Sequence, residues 1–427
     1  MVTINPDNHQ ISIEGMAVSD IAENYGTPVY VYSQAKIKEN INKLRAALQS
    51  YFKKYNIQYP LKANSNPHLL RIIKGEGLGA DCSSPAELYI ARKVGFPLNR
   101  STYTGNYESI SDLRAAAESG IRINLDDYRR LNELLELTRP EIISFRINPG
   151  IGRGGFEGVV TAGTDAKFGS PYEEIHQAYQ SALEAGIKRF GIHMMTGSNV
   201  LEPFHFAEIT QKLTTIAGEA LSDLNIKLEF INIGGGLGIP YAEEEIEIDL
   251  DQTYKLVSEV FHEHVSKYNL GDPELVVEPG RYLVGNAGVI VSRVTHVKKS
   301  YRNFVGIDAG MNTLLRPALY RAYHRILIDG HSTELPSQSG DIEHYLVTGQ
   351  VCENSDIHPM ERAFSGVRVG DLAVILDAGA YGYGMSSNYN NRPRPAEVLV
   401  SDKQTSLIRE AEKIGDLFRG VPDFSQT

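Results

Sequence analysis

The sequence predicts an α/β protein: a parallel (β/α)8 TIM-like barrel joined to a second, mostly β domain of the sandwich or barrel type. Three observations lead to this prediction. Strand–helix units alternate through more than half of the 427 residues, polar residues stand at the ends of several strands, and β-rich runs replace the helical patterns after about residue 275. We place the barrel at residues 28–275 and the β domain at residues 1–27 plus 276–427.

The barrel prediction rests on apolar runs that alternate with helical patterns. A strand at 29–32 precedes a helix that Ser33 caps and that continues to about residue 50. A second strand, 57–61, ends directly before Lys62. Helices that each end at a glycine are predicted at 67–74, 85–94 and 109–119, and further strands at 121–124, 142–147, 190–193 and 228–233. A barrel of this kind carries its active site at the carboxyl ends of its strands.

The β domain is predicted from short apolar runs that turn residues separate. The predicted strands are 289–297, 325–328, 345–347 and 372–376, and residues 10–13 are expected to add to them. A glycine-rich stretch, 150–169, interrupts the barrel pattern and is a candidate for a loop that closes over the site.

Composition and charge exclude several classes of protein. Lys and Arg number 42 against 53 Asp and Glu, so the net charge is −11, which disfavours a nucleic-acid surface. The two cysteines, Cys82 and Cys352, predict no disulfide framework and fit a reducing compartment. We see no secretory signal, and no apolar run approaches the roughly 18–20 residues that span a bilayer. We therefore expect a cytoplasmic protein that binds neither nucleic acid nor membrane.

Four segments carry chemically useful groups. Lys62 stands at a strand end, where a buried amine favours Schiff-base chemistry. The run 234–238, Gly-Gly-Gly-Leu-Gly, can present backbone N–H groups to an anion, and Glu278 in Glu-Pro-Gly-Arg can hold a protonated ring nitrogen. Cys352 lies among polar residues, which suits a proton-donating thiol. No second Cys or His stands at ligand spacing, so we predict no metal site.

Each segment alone has an ordinary structural explanation. A single lysine is more often on the surface, a glycine run is often a tight turn, and His193 alone would more often be a satisfied core histidine. The glycine run also does not follow the dinucleotide-binding pattern, which needs an early βα unit and a later acidic residue. The combination of the segments is much more specific than any one of them.

Taken together, these segments resemble the pyridoxal-phosphate-dependent decarboxylases of the alanine-racemase-like barrel fold, and within them the diaminopimelate decarboxylase family. The resemblance extends over nearly the whole chain, from Thr27-Pro28-Val29 to Pro395-Ala396-Glu397. Its most specific stretches are Asp-Ala-Gly-Met-Asn at 308–312, Arg-Pro-Ala-Leu-Tyr at 316–320, Cys352-Glu353, and Ser-Ser-Asn-Tyr-Asn at 386–390.

The resemblance implies pyridoxal 5'-phosphate as the cofactor, carried by Lys62 through a Schiff base. Glu278 would pair with the pyridine nitrogen and keep the ring an effective electron sink. The other cofactor-binding residues that the resemblance implies are Asp81, His193, Ser198, Gly235, Gly236, Gly280, Arg281 and Tyr381.

The resemblance also implies the reaction, which is decarboxylation of meso-2,6-diaminopimelate to L-lysine and CO₂ in lysine biosynthesis. Cys352 would deliver the proton that replaces CO₂. The substrate-binding residues would be Arg281, Arg316, Tyr320, Glu353 and Tyr381. Cys352 and Glu353 would reach the site of a second copy, so we expect a homodimer with shared active sites.

One position departs from the family pattern. The family usually has a second histidine two residues after the first, whereas Met195 follows His193 here. This departure leaves open a related decarboxylase for another amino acid with a distal carboxylate. A catalytically silent homologue that binds the cofactor is a third possibility, against which the retention of Lys62, Glu278 and Cys352 argues. A racemase fits less well, because no second base can be placed.

Overall fold

The computed structural model describes residues 1–150, 162–163, 165–331 and 342–422. The helices in these residues are α1 (Val18–Tyr25), α2 (Gln34–Tyr51), α3 (Pro67–Gly75), α4 (Pro85–Val94), α5 (Ile110–Ser119), α6 (Leu131–Leu137), α7 (Ile175–Glu184), α8 (Pro203–Leu221), α9 (Leu250–Lys267), α10 (Arg281–Val284) and α11 (Arg316–Tyr320). Most of the candidate closing loop, 151–161 with 164, lies outside the described residues.

The strands of the same residues begin with β1 (Val2–Ile4), β2 (Ile11–Ile13), β3 (Met16–Ala17), β4 (Val29–Ser33), β5 (Tyr55–Pro60), β6 (Gly79–Cys82), β7 (Thr102–Tyr103), β8 (Arg122–Leu125), β9 (Ile142–Asn148), β10 (Ser170–Pro171), β11 (Arg189–Met194), β12 (Leu228–Asn232) and β13 (Gly271–Val277). They continue with β14 (Gly288–Lys299), β15 (Asn303–Ile307), β16 (Ile326–Ile328), β17 (Ile342–Thr348), β18 (Arg362–Ser365), β19 (Leu372–Ile375), β20 (Ala396–Ser401) and β21 (Gln404–Arg409).

Eight parallel strands of the described chain close into a barrel, which confirms the predicted fold class. Their order is β5-β6-β7-β8-β9-β11-β12-β13, and β13 pairs with β5 to complete the ring. Helices follow the strands in alternation, so every carboxyl end in the barrel faces the same rim. The predicted site residues at those ends are therefore neighbours in space.

Local sequence signals explain where the barrel helices begin and end. Ser84 and Ser109 accept hydrogen bonds from the backbone N–H groups of Glu87 and Asp112 and so cap α4 and α5. Gly95 and Gly120 end these two helices in the left-handed conformation, as the sequence predicted. In α8, Phe206, Ile209, Leu213 and Ile216 recur at helical spacing and are all buried, which fixes the face turned toward the core.

The mostly β unit is organised around the long strand β14. This strand pairs with β4, β15 and β19, all antiparallel. The sheet order is β18-β17-β15-β14-β4-β20-β21, and β16 pairs with β19. Alternate residues such as Val29, Val31, Val289 and Val398 face one apolar core, in line with the period-two pattern of strands.

The opposite face of this sheet buries a charge that is fully paired. Glu397 has no exposed surface, and its carboxylate accepts hydrogen bonds from the Tyr32 hydroxyl at 2.7 Å and from the Arg409 guanidinium. A buried carboxylate without such donors would be strongly destabilising. This pairing ties β4, β20 and β21 together.

The chain forms two compact units. One consists of Met1–Ile37, Tyr241–Glu245 and Val284–Thr427, the other of Lys38–Pro240 and Ile246–Leu283. The predicted boundaries at 28 and 276 differ from these limits. The predicted strand at 29–32 is present, but it pairs with β14 and β20 in the β unit. A strand followed by a helix has the same sequence pattern in a barrel and in this sheet, so only the pairing distinguishes them. Residues Ile11–Ile13 add a strand to the β unit as expected: they form β2 of a small sheet, β1-β2-β3, and the side chains of Ile11 and Ile13 pack into the apolar core of that unit.

Candidate active site

Lys62 lies at the rim of the barrel in a short 3₁₀ turn, Leu61–Ala63, that continues directly from β5. Its Nζ lies 3.2 Å from Oδ2 of Asp81 on the neighbouring strand β6. The Lys62 side chain is 53% exposed, whereas Asp81 is buried. Burial raises the pKa of Asp81 to about 6, although the Lys62 charge acts in the opposite direction. The rim therefore presents an accessible amine against a buried carboxyl group.

Glu278 follows β13 and forms a second buried charge at the same rim. Its Oε1 accepts a hydrogen bond from Asn232 Nδ2 at 2.7 Å, and its Oε2 lies 3.3 Å from His193 Nε2. Burial by itself raises the pKa of Glu278, but His193, Lys62 and Asn232 outweigh it and lower the pKa to about 2. Glu278 is therefore an ionised carboxylate at neutral pH.

The two carboxyl groups and the amine form one electrostatic cluster. The Lys62 charge lowers the pKa of Glu278, and the Glu278 charge contributes to raising that of Asp81. His193 Nδ1 and Thr196 Oγ1 are buried and have no hydrogen-bond partner among the described residues. Buried polar atoms without partners are uncommon in folded proteins and indicate a place where a bound group is accommodated.

The glycine run lies between β12 and the end of β13, which it approaches very closely. A Cβ on Gly235 would lie 2.3 Å from the backbone oxygen of Glu278. Gly234 and Gly236 have φ values of +72° and +103°, a region that side chains disfavour. The Glu278 N–H also donates to the Gly234 oxygen at 2.8 Å. Only glycine fits this turn, which holds the predicted anion-binding backbone beside the carboxylate.

Met195, the position at which the sequence departs from the expected pattern, lies against this same turn. Its Sδ accepts the Gly235 N–H at 3.0 Å. The thioether therefore fixes one backbone amide of the glycine run, a contact that the sequence analysis did not predict.

Ser198 and Arg281 lie together on the barrel unit. Arg281 begins α10 directly after Gly280, and its Nη2 lies 3.3 Å from Ser198 Oγ. Arg281 is buried. The barrel rim thus combines a lysine, an ionised carboxylate, a glycine turn and a buried guanidinium.

The β unit holds the remaining predicted residues. Arg316 and Tyr320 begin and end α11, and Arg316 is buried. Tyr381 is half-buried and has a φ of +55°, so the backbone at this position is held in a conformation that is uncommon for tyrosine.

Cys352 and Glu353 lie in an exposed loop of the β unit. Cys352 is a free thiol, and its backbone N–H donates to Asn390 Oδ1 at 2.7 Å. Glu353 accepts a hydrogen bond from Ser355 and raises the pKa of Tyr389 through a side-chain hydrogen bond. The loop therefore presents both side chains outward while their backbone is held in place.

Several residues that support the predicted site residues within each unit were missed by sequence reasoning. Asn232 fixes one oxygen of Glu278, His324 contacts Arg316, and Asn390 holds the Cys352 backbone. Asn232 had a usable signal, because it ends a strand directly before the glycine run. Asn390 lies 38 residues from Cys352, in the stretch 386–390 that the resemblance singled out without assigning Asn390 a role, whereas His324, 8 residues from Arg316, gave no signal.

Comparison with known proteins places this chain in a family. Residues 34–285 match the family model described as pyridoxal-dependent decarboxylase, pyridoxal binding domain. The chain is therefore a member of the pyridoxal-dependent decarboxylases. The chain belongs to the diaminopimelate decarboxylase family within this class.

Relatives across the full length support this assignment. A diaminopimelate decarboxylase of Methanothermobacter thermautotrophicus is 40% identical over 98% of this chain and 97% of its own. One from Thermoplasma acidophilum is also 40% identical, over 97% and 98%. The crystal structure of diaminopimelate decarboxylase from M. jannaschii in complex with L-lysine has a TM-score of 0.87 and 34% identity, covering 98% of this chain and 96% of that one.

Proposed function

We propose that this chain is a pyridoxal-phosphate-dependent carboxy-lyase that converts meso-2,6-diaminopimelate to L-lysine and CO₂. The observation that carries the proposal is the pairing, at one barrel rim, of the accessible Lys62 amine with a Glu278 carboxylate that His193 and Asn232 keep ionised. The choice of substrate is inferred from its full-length relatives, which are named diaminopimelate decarboxylases.

The rim residues fit the cofactor. Lys62 would hold its aldehyde carbon, and Glu278 its pyridine nitrogen. The glycine turn, Gly280 and the Ser198–Arg281 pair would hold the phosphate. His193, whose Nε2 contacts Glu278, has a buried Nδ1 without a partner among the described residues, and so has Thr196 Oγ1 three residues further along the chain. When bound, pyridoxal phosphate supplies an electron sink for the electron pair that CO₂ leaves behind.

Glu278 acts through its charge. Its pKa of about 2 keeps both oxygens anionic across the physiological pH range, so it can accept a hydrogen bond from a protonated ring nitrogen. Asn232 occupies one oxygen and His193 the other, which fixes the plane of the carboxylate. Asp81 orients the Lys62 amine through the contact at 3.2 Å.

The residues assigned to the substrate would favour an amino acid that carries a second amino-acid group at its far end. Arg316 offers a guanidinium fork that suits a carboxylate, while Glu353 offers the negative partner for an ammonium group. Arg281, Tyr320 and Tyr381 would add further donors. A substrate without a distal carboxylate would leave the Arg316 charge unused, which favours the amino diacid over a simple diamine precursor.

Cys352 would donate the proton that arrives at the substrate carbon after CO₂ has left. The exposed loop that carries Cys352 and Glu353 supports a further proposal: the active form is a homodimer in which this loop completes the partner's site.

Two cysteines without a disulfide fit a cytoplasmic location. No helix of the described ranges has the length and apolar composition needed to cross a bilayer.

The test is release of CO₂ from a panel of amino acids by protein supplied with pyridoxal phosphate. We expect turnover with meso-2,6-diaminopimelate and none approaching it with L-lysine, L-ornithine or L-arginine. Lys62→Ala should abolish the release of CO₂. The control is Lys53→Ala, which should not, because Lys53 is an exposed lysine that precedes β5, the strand that leads to Lys62. Faster release from one of the three basic amino acids would contradict the assigned specificity.

A further inference from the structure

We propose that His324 and Tyr241 are positioning residues for Arg316 and thereby determine the preference for substrates with a distal carboxylate. This inference rests on the proposed function, in which Arg316 binds that carboxylate. Neither residue carries a role in the sequence-based predictions, and both belong to the same unit as Arg316.

His324 holds Arg316 through a hydrogen bond whose direction is determined by a second one. Arg316 Nη1 lies 2.7 Å from His324 Nε2, and His324 Nδ1 lies 2.8 Å from the backbone oxygen of Leu376. A carbonyl oxygen only accepts, so the proton of the neutral imidazole is on Nδ1. Nε2 then carries the lone pair and accepts from Arg316. The imidazole thus links the guanidinium to the end of β19.

Tyr241 adds a second restraint from another direction. The Arg316 guanidinium carbon lies 4.4 Å from the centroid of the Tyr241 ring. The same ring meets His324 edge to face, with centroids 5.1 Å apart and planes at 74°. Tyr241 is buried, and its own backbone N–H donates to Glu245 at 2.6 Å, so the ring is fixed in turn.

These two contacts together define the orientation of the guanidinium. Contact with the Tyr241 ring limits movement toward and away from that face, and the bond to His324 fixes the rotation of the fork. Arg316 and His324 are 3% and 0% exposed, so water cannot replace either contact. The plane of the Arg316 guanidinium is therefore held in a set orientation, which is what recognition of a carboxylate by two parallel hydrogen bonds requires.

Two substitutions at 324 separate positioning from support of the fold. In His324→Asn, the amide can still donate to Leu376 in place of Nδ1, but no atom replaces Nε2. In His324→Gln, the longer side chain brings an amide oxygen to the place of Nε2, so the bond from Arg316 is retained. His176→Asn, a change at a partly exposed histidine of the other unit, is the control.

The experiment measures KM for meso-2,6-diaminopimelate with the holoenzyme, and the inhibition constants of L-lysine and of pentane-1,5-diamine. L-Lysine keeps the distal carboxylate, and the diamine lacks it. We expect His324→Asn to raise KM and the L-lysine constant together by about 10- to 100-fold, as loss of an oriented hydrogen bond to a charged group does. The diamine constant and the visible absorbance of the cofactor should stay at their wild-type values, whereas the unfolding temperature should fall, because a buried N–H group of Arg316 loses its partner.

His324→Gln should restore KM and the L-lysine constant to within a few-fold of wild type. Tyr241→Leu should raise the same two constants as His324→Asn does. The inference is overturned if His324→Asn leaves KM unchanged, if Asn and Gln have equal effects, or if binding of the diamine weakens as much as that of L-lysine. A wild-type protein that releases no CO₂ from diaminopimelate would instead overturn the proposed function, and this inference with it.

Discussion

Replacing Gly235 with alanine tests whether the glycine turn and Glu278 form a single structure. A Cβ at this position would lie 2.3 Å from the Glu278 carbonyl oxygen, and real Cβ atoms essentially never approach closer than 3.0 Å. The turn must therefore move away from β13 by about 0.7 Å. Unlike its two neighbours, Gly235 has no positive φ, so the effect is purely steric.

The size of the effect follows from the cost of overpacking. Forcing a methyl group into a tightly packed position costs about 1–3 kcal/mol. In a unit of this size, that corresponds to a fall in unfolding temperature of about 2–12 °C. The turn also presents the backbone that would bind the phosphate, so we expect the affinity for pyridoxal phosphate to fall on the order of tenfold or more.

The assay compares thermal unfolding without cofactor and the dissociation constant for pyridoxal phosphate. The matched control is Gly75→Ala, because Gly75 ends α3, has no positive φ and has no atom within 4 Å of an added Cβ. The control should leave affinity unchanged and stability unchanged or raised by up to about 1 kcal/mol. If Gly235→Ala matches the wild type in both measurements, the close contact between the turn and Glu278 contributes neither to stability nor to cofactor binding, and the reasoning is refuted.

Three further predictions concern the charged cluster and the thiol. Lys62→Ala should remove the visible absorbance of the bound cofactor and all CO₂ release while the circular dichroism stays unchanged; retained turnover would contradict the role of Lys62. Cys352→Ala should keep the absorbance but slow or misdirect protonation, followed as the configuration of deuterium in the product formed in D₂O, and unaltered activity would assign the proton to another donor. Asp81→Asn should alter the pH dependence of stability in the cofactor-free protein. Because the pKa of Asp81 is raised from 3.8 to about 6, the folded state binds this proton more tightly, and wild-type stability falls as pH rises through that window. The variant should lack this fall, worth up to ~3 kcal/mol, in denaturation series between pH 4 and pH 7; identical slopes would contradict the buried state of Asp81.

The barrel could be predicted because its signals are local. Alternating apolar runs, serine caps and terminal glycines each depend on a few neighbouring residues, and Ser33, Gly95 and Gly120 act as their positions indicated. The placement of polar residues at strand ends also required only the regular alternation of the fold. These features can therefore be predicted without any knowledge of long-range contacts.

The features that could not be predicted depend on contacts distant in sequence. Strand β4 has the pattern of a barrel strand, yet it pairs with β14 and β20, more than 250 residues away. The support of Glu278 by Asn232 spans 46 residues. Met195 could be recognised as a departure, but its bond to the Gly235 amide depends on where the glycine turn folds. Side-chain partners of this kind are set by tertiary packing, which local patterns do not encode.

Pyridoxal phosphate is expected to be held covalently by one particular lysine at the barrel rim. Reduction of the holoenzyme with borohydride makes this bond permanent, and peptide mass analysis then locates the modified residue. We expect a single phosphopyridoxyl group on Lys62, with Lys53 unmodified. Modification of a different lysine, or none after loading with the cofactor, would contradict it.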